Sequence, residues 1–325
     1  MSKKELIFQI LKKKSEVNIN EIVEKANVSR QFAHRVLKTL IDSKEIIKIG
    51  SAPRTFYRLS REIEETPASY ISKYDKEYLE KHFILVTETG SKLTGIVAFH
   101  AWCKRRNLPS EKTLKEYILT TKKYLKYYAP NGLISGMDKL KGTKGFDQIG
   151  LDELYYLDFY AIERFGKTKL GTLLHFAKQG QNQQLMAEII EIIKDRVHNF
   201  IQQHKIDAVG YIPPTIKREV QIMKVLEKKL NISLPHVKIV KVSGEIAVPQ
   251  KALSKIEDRI SNARFSIVVQ DDRKFKKILL IDDAVGSGAT MNETAIKIKS
   301  NKVADEVTGM AVTGSFKGFE VIREI

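Results

Sequence analysis

Residues 276–292 read KKILLIDDAVGSGATMN. Ile278, Leu279, Leu280 and Ile281 form a short apolar run with two β-branched members, which predicts a buried strand, and a parallel one. Asp282 and Asp283 stand at its C-terminal end. Ala284, Val285, Gly286, Ser287, Gly288, Ala289 and Thr290 follow as a loop of small residues, and a helix is expected over residues 291–299. Strand, small-residue loop and helix N-terminus together make a cradle for a phosphate. Glycines let the backbone approach an anion, the N–H groups of the first helical turn point at it, and Ser287 and Thr290 add hydroxyls. Inside the cradle the two carboxylates would repel phosphate. Just before it, they would accept hydrogen bonds from neutral hydroxyls such as those of a ribose. The pattern implies a sugar phosphate, with its phosphate in the loop and its diol on the two aspartates.

An apolar strand, Asp-Asp and a small-residue loop ending Gly-Ala-Thr resemble the phosphoribosyl pyrophosphate (PRPP) signature of the type I phosphoribosyltransferases. The resemblance implies that Asp282 and Asp283 hold the ribose 2′- and 3′-hydroxyls and that residues 284–290 hold the 5′-phosphate. The family's usual loop has Thr-Thr-Gly. Here it is Gly286-Ser287-Gly288, so one hydroxyl is kept and one is absent.

A chain of 325 residues exceeds the usual size of one domain, which predicts two or three. An apolar share of 42% is ample for real cores. The single cysteine, Cys103, excludes an internal disulfide framework and any multi-cysteine zinc site. The opening MSKKELIFQI has no long apolar core of a signal peptide, and no uncharged apolar run is long enough to span a bilayer; a cytoplasmic protein without a membrane partner is expected. The net charge of +17 favours a polyanionic partner such as nucleic acid, although phosphate-handling proteins share it.

Residues 1–62 read as one domain. Leu6, Ile7, Ile10 and Leu11 recur at helical spacing. A second short helix carries Ile19, Ile22 and Val23, with Asn18 or Asn20 as cap. A third, over residues 30–43 behind Ser29, buries Phe32, Ala33, Val36, Leu37 and Leu40. Residues 45–49 and 55–59 alternate like two strands around a turn at 50–54. Three helices and a hairpin resemble a winged helix-turn-helix domain. In that arrangement the third helix presents Arg30, Gln31, His34, Arg35 and Lys38 to a major groove, and the wing presents Arg54 and Lys48. Residues 1–60 hold thirteen Lys and Arg against six Asp and Glu, which fits double-stranded DNA. A winged helix used for protein contacts or dimerisation is the alternative.

Residues 63–150 read as a helical connector. Thr66-Pro67 breaks the preceding element. Helices are expected over residues 75–87, 92–106 and 114–128, and residues 132–150, with five glycines, read as turns or loop. Lys122, Lys123, Tyr124, Lys126, Tyr127 and Tyr128 interleave basic and aromatic residues. Packed tyrosines with solvated lysines are favoured over a platform for single strands.

From residue 151 to 325 strands and helices alternate: strands over 154–162, 208–212 and 237–242, helices over 170–179, 185–203 and 219–230. Such alternation predicts an α/β domain built on a parallel sheet with helices on both faces, whose ligand sits at the strands' C-terminal ends. Two strand ends then meet at one pocket, Asp282-Asp283 and the Pro213-Pro214-Thr215 turn with Lys217 and Arg218. These last two are either pyrophosphate ligands or ordinary surface cations. Tyr160–Gln181 with its Lys178-Gln179-Gly180, Ile212-Pro213-Pro214, and the run Pro249, Gln250, Leu253, Arg259, Asn262, Phe265 are similar to segments of the ComF branch of the same family. In related enzymes that last run belongs to a mobile hood over the active site. Many ComF-type proteins begin with a four-cysteine zinc ribbon, which this chain cannot build.

The resemblance implies PRPP or a related nucleotide as ligand, with Mg²⁺ arriving on PRPP and no metal held by protein ligands alone. Two classes of function stay open. One is a ligand-responsive, DNA-binding regulator, with a homodimer on DNA as one option, and this reading leads because a basic winged helix is fused to the site. The other is an active phosphoribosyltransferase, in which Asp282 and Asp283 orient the ribose, Lys217 and Arg218 steady the leaving pyrophosphate and Arg259 closes over it. A nucleotide-acting effector of a defence or stress system is a third possibility.

Overall fold

The computed structural model describes residues 3–14, 16–43, 45–49, 55–59, 71–87, 90–216, 218–242 and 255–316. The chain divides into two compact units, Met1–Leu114 and Lys115–Ile325.

The first unit runs α1 (Lys3–Lys13), β1 (Val17–Asn18), α2 (Ile19–Ala26), α3 (Arg30–Asp42), β2 (Ile46–Ile49), β3 (Phe56–Leu59), α4 (Lys73–His82), β4 (Ile84–Val86), β5 (Lys92–Thr94) and α5 (Gly95–Arg105). Asn18 starts α2 with a capping box: its side chain accepts from the Glu21 N–H at 3.0 Å, and the Glu21 carboxylate takes the Asn18 N–H. Asn27 ends that helix in the left-handed region (φ 47°), and Ser29 caps α3 by accepting from the Phe32 N–H at 3.2 Å. The two helices thus turn sharply without leaving their end groups bare. β1, β3 and β2 form an antiparallel sheet in that order, and Ile7, Leu11, Ile22, Leu37, Leu40 and Ile46 fill the core between sheet and helices. Residues 50–54, with Arg54, and the Thr66-Pro67 step lie outside the described residues.

Two helices expected here are shorter than the sequence suggested. α4 stops at His82, and α5 begins only at Gly95. Between them β4 and β5 pair as a hairpin, closed where the Thr87 and Gly90 backbones bond at 2.9 Å. Ile84 and Val86, β-branched and buried, favour the pleat over another helical turn. Gly95 enters its helix at φ +58°, a left-handed backbone that favours glycine, beside the Glu80 carboxylate.

The second unit starts within α6 (Ser110–Leu125), which crosses the boundary. It continues through β6 (Ile134–Ser135), α7 (Met137–Gly142), β7 (Glu153–Phe159), β8 (Ala161–Ile162), β9 (Gly166–Lys167), α8 (Lys169–Gln179), α9 (Gln183–Gln203), β10 (Ala208–Tyr211), α10 (Ile222–Leu230), β11 (His236–Val237), β12 (Ile239–Lys241), α11 (Ile256–Ser266), β13 (Ile267–Val269), β14 (Phe275–Val285), α12 (Ala289–Ser300) and β15 (Ala304–Gly314). Its main sheet has the order β11-β10-β14-β15-β7-β6. The first five strands are parallel, and β6 joins β7 antiparallel, so the unit is mixed α/β with a mixed sheet. β14 is central. Ile278, Leu279 and Leu280 are fully buried, worth about 1.5–3 kcal/mol each in removed apolar surface.

Two further expectations are corrected. Residues 132–150 are not all loop. Ile134 is buried against β7 and Leu140 is buried on α7, so the glycine-rich stretch still contributes a strand and a helix. The strand expected over 237–242 is divided: β11 stays in the main sheet, while β12 leaves it to pair with β13. In the aromatic stretch, Tyr124 is buried and packs edge-on to Phe159 and Phe316, while Tyr128 donates to Asp158 at 2.5 Å.

Candidate functional site

β14 ends in Asp282-Asp283-Ala284-Val285, residues 286–288 turn, and α12 begins at Ala289. Gly288 takes φ +85°, and a Cβ there would lie 2.7 Å from a Leu140 methyl carbon, so the position requires glycine both by conformation and by space. The Ser287 hydroxyl accepts from the Ala289 N–H at 3.3 Å. Farther back α12 is fastened to the preceding chain: the buried Asn292 side chain accepts from the Gly150 N–H and donates to the Gln148 carbonyl, both at 2.9 Å. Arg264 of α11 pairs with Glu293 at 3.0 Å and with Asp147 at 3.2 Å, which ties α11 to α12.

Above the loop lies a cavity of about 370 Å³. Asp282, Asp283 and every residue from 284 to 290 line it, together with Arg218 and Arg259. α8 forms another wall. Its N-terminal turn is capped by Thr168, whose hydroxyl accepts from the Gly171 N–H at 3.0 Å. Gly171 lets that turn close onto the Tyr160 carbonyl, since a Cβ would come within 2.0 Å of it. The helix then carries Lys178 to Asp283 at 2.8 Å. Tyr160 and His175, also in the wall, meet at 3.1 Å.

The electrostatics separate the two acids. Asp283 has Lys178 as counter-ion. The Asp282 carboxylate accepts from the Asp283 N–H at 2.7 Å, and its pKa is raised, first by burial and then by the neighbouring Asp283 charge, with Lys178 opposing. Lys241 on β12 donates to the Thr215 hydroxyl at 2.7 Å; burial lowers its pKa, and the Asp282 charge opposes that shift. On α7, Lys139 reaches the back of the loop, and burial together with Arg259 lowers its pKa to about 8.

The residues singled out in the sequence are distributed as follows. Those of the acid pair and loop share one cavity with Arg218 and Arg259. One Arg218 N–H is already engaged, donating to the Lys178 carbonyl at the end of α8 at 2.5 Å. Arg259 is buried on α11. In the same helix the Asn262 amide nitrogen is buried with no hydrogen-bond partner among the described residues, and Phe265 is 80% exposed. Lys217, Pro249, Gln250 and Leu253 lie outside the described residues. Arg30, Gln31, His34, Arg35 and Lys38 are on α3 of the other unit, and all five are exposed, as is Lys48 on β2. Sequence reasoning gave no site role to Lys139, Lys178, Lys241, Tyr160 or His175. Tyr160, His175 and Lys178 fall within the segment 160–181 that resembles the ComF branch; Lys139 and Lys241 carry no local signal, because their partners are distant in the chain.

Among the described residues no three His, Cys, Asp or Glu side chains gather as a metal site, and no helix is long and apolar enough to cross a membrane. No family model and no curated protein sequence matches the chain.

Proposed function

We propose that this is a DNA-binding protein of winged-helix type whose second unit binds PRPP or a related nucleotide, and that the ligand regulates DNA binding. The observation that carries the ligand half is a single cavity lined by the acid pair and by the whole of residues 284–290, at the C-terminal end of a central parallel strand. The 5′-phosphate would sit on the loop and the first turn of α12, and the ribose hydroxyls on Asp282 and Asp283. Lys178, paired with Asp283 at 2.8 Å, holds that side chain in place. Mg²⁺ fits this site only as a companion of its ligand: two adjacent carboxylates offer it contacts, and pyrophosphate oxygens would complete its shell. What it would supply is neutralisation of the pyrophosphate charge.

The DNA half rests on α3. It buries Ala33, Val36, Leu37 and Leu40 and turns three cations, His34 and Gln31 outward on one helix, beside a small antiparallel sheet. For regulation, PRPP must bind the DNA-competent and incompetent states with different affinity. A second reading, transfer of the phosphoribosyl group to a nitrogenous base or amine, draws on the buried Arg259 in the same cavity.

Calorimetric titration of the full chain with Mg²⁺ and PRPP tests the ligand half, beside Asp282→Asn/Asp283→Asn. Binding by the native protein and a roughly tenfold or greater loss in the variant are expected. Duplex DNA affinity measured with and without PRPP then tests the regulator. Release of pyrophosphate with a base or ammonia, and DNA affinity indifferent to PRPP, would establish transfer instead. An absence of PRPP and nucleotide binding to the native chain overturns the ligand half.

A further inference from the structure

The loop has a back as well as a front. On the back, the Lys139 ammonium donates to the Gly286 carbonyl at 2.5 Å, to the Ser315 carbonyl at 3.0 Å and to the Ser315 hydroxyl. The Ser315 hydroxyl also donates to the Gly286 carbonyl at 3.2 Å, and the Ser315 N–H donates to the Val285 carbonyl at 3.0 Å. Both carbonyls that enter the loop are therefore held from outside it. The next residue of α7, Leu140, lies against Gly288 so closely that no Cβ fits between them. One turn of α7 thus touches both glycines of the loop.

In a trans peptide the C=O and the following N–H point in opposite directions. Binding the Gly286 carbonyl to Lys139 turns the Ser287 N–H away from the ammonium. Gly286 and Ser287 line the cavity and Lys139 does not. With its carbonyl held from behind, a trans peptide directs the following N–H to the opposite side, where the cavity and the first turn of α12 lie. The ammonium lies behind the same peptide, polarising it and adding positive potential under the cradle.

We infer that Lys139 is a positioning residue for a phosphomonoester: it fixes the Gly286–Ser287 peptide in the orientation that presents its N–H to the phosphate, and its charge strengthens that donor. This rests on the proposed phosphate-binding reading and names the part of the chain that makes the loop competent. It also accounts for a half-buried cation whose bonds to the loop and to Ser315 go to carbonyl and hydroxyl oxygens. Burial and the Arg259 charge lower the Lys139 pKa to about 8, and the carbonyl contacts to Gly286 and Ser315 are what favour the ammonium there.

The test uses the full chain and ribose 5-phosphate, by calorimetry and by following the Ser287 and Gly288 amide resonances. In the native protein ribose 5-phosphate should bind and move both amides. Lys139→Met should bind it roughly tenfold or more weakly, with the Ser287 resonance displaced before ligand is added and unresponsive after. If Lys139→Met does not fold, Lys139→Leu, which also removes both the donor and the charge, carries the same comparison. Native affinity and a native Ser287 response in the folded variant overturn the inference and leave the ligand reading standing. A native protein that binds no ribose 5-phosphate, PRPP or nucleotide overturns the ligand reading, and the inference with it.

Discussion

The two units carry their candidate chemistry in opposite ways. On α3 the polar residues Arg30, Gln31, His34, Arg35 and Lys38 are all in solvent, and the helix is held by the separate apolar face of Ala33, Val36, Leu37 and Leu40. At the end of β14 the candidate site residues are also structural ones. Asp283 is 8% exposed and paired with Lys178, Lys139 holds the loop, and Gly288 fits only because it lacks a side chain. A surface charge can be exchanged with little effect on folding, because water replaces whatever it touched. A buried one is coupled to its neighbours, so binding and stability change together.

The sharpest way to break this contrast is Gly288→Val. The left-handed backbone and the Leu140 contact should together cost about 3 kcal/mol of stability. Thermal denaturation checks it, and a change under about 0.5 kcal/mol would show that the loop is not built as described.

A second effect is expected from pH. The raised pKa of Asp282 means that the native state keeps a proton which the unfolded chain releases at lower pH. Stability from this group is complete below the unfolded carboxylate value and is lost as pH rises through the folded one, with a slope of at most about 1.4 kcal/mol per pH unit. Asp282→Asn should flatten the slope between those two values. Lys139 and Lys241, whose pKa values are lowered, act in the opposite sense and at higher pH. Urea titrations of the native chain and of Asp282→Asn at several pH values check this, and identical slopes would contradict the burial assigned to Asp282.

The smallest effect on folding belongs to the first unit. Arg30→Ala/Arg35→Ala/Lys38→Ala should shift stability by no more than about 0.5 kcal/mol. It should weaken DNA binding and lower its salt dependence by about 0.9 in log–log slope for each phosphate that the variant no longer neutralises. Unchanged DNA affinity would redirect α3 toward a protein partner.

Where a feature is local, the sequence made it legible. The acid pair and loop are consecutive residues between a strand and a helix, and α3 declares its buried face by a 3.6-residue period. The α4–α5 region was misjudged because three-residue strands leave too few alternations to stand out from a helical pattern. α7 was hidden in a stretch of five glycines, although Leu140 is nearly fully buried. The split between β11 and β12 was invisible because the partner strand β13 comes after intervening chain.

By itself, then, the amino-acid sequence determined the strand, acid pair, loop and helix of residues 276–292, the amphipathic α3 and the α/β alternation after residue 151, since each depends on neighbours a few positions away. Tertiary structure alone decided that β6 would run antiparallel at the sheet edge, that Lys178 would meet Asp283, and that Lys139 would reach Gly286 across 147 residues of chain. The physical reason is that backbone propensity and periodicity act along the chain, whereas an ammonium finds its carbonyl only after strands from distant segments have packed side by side.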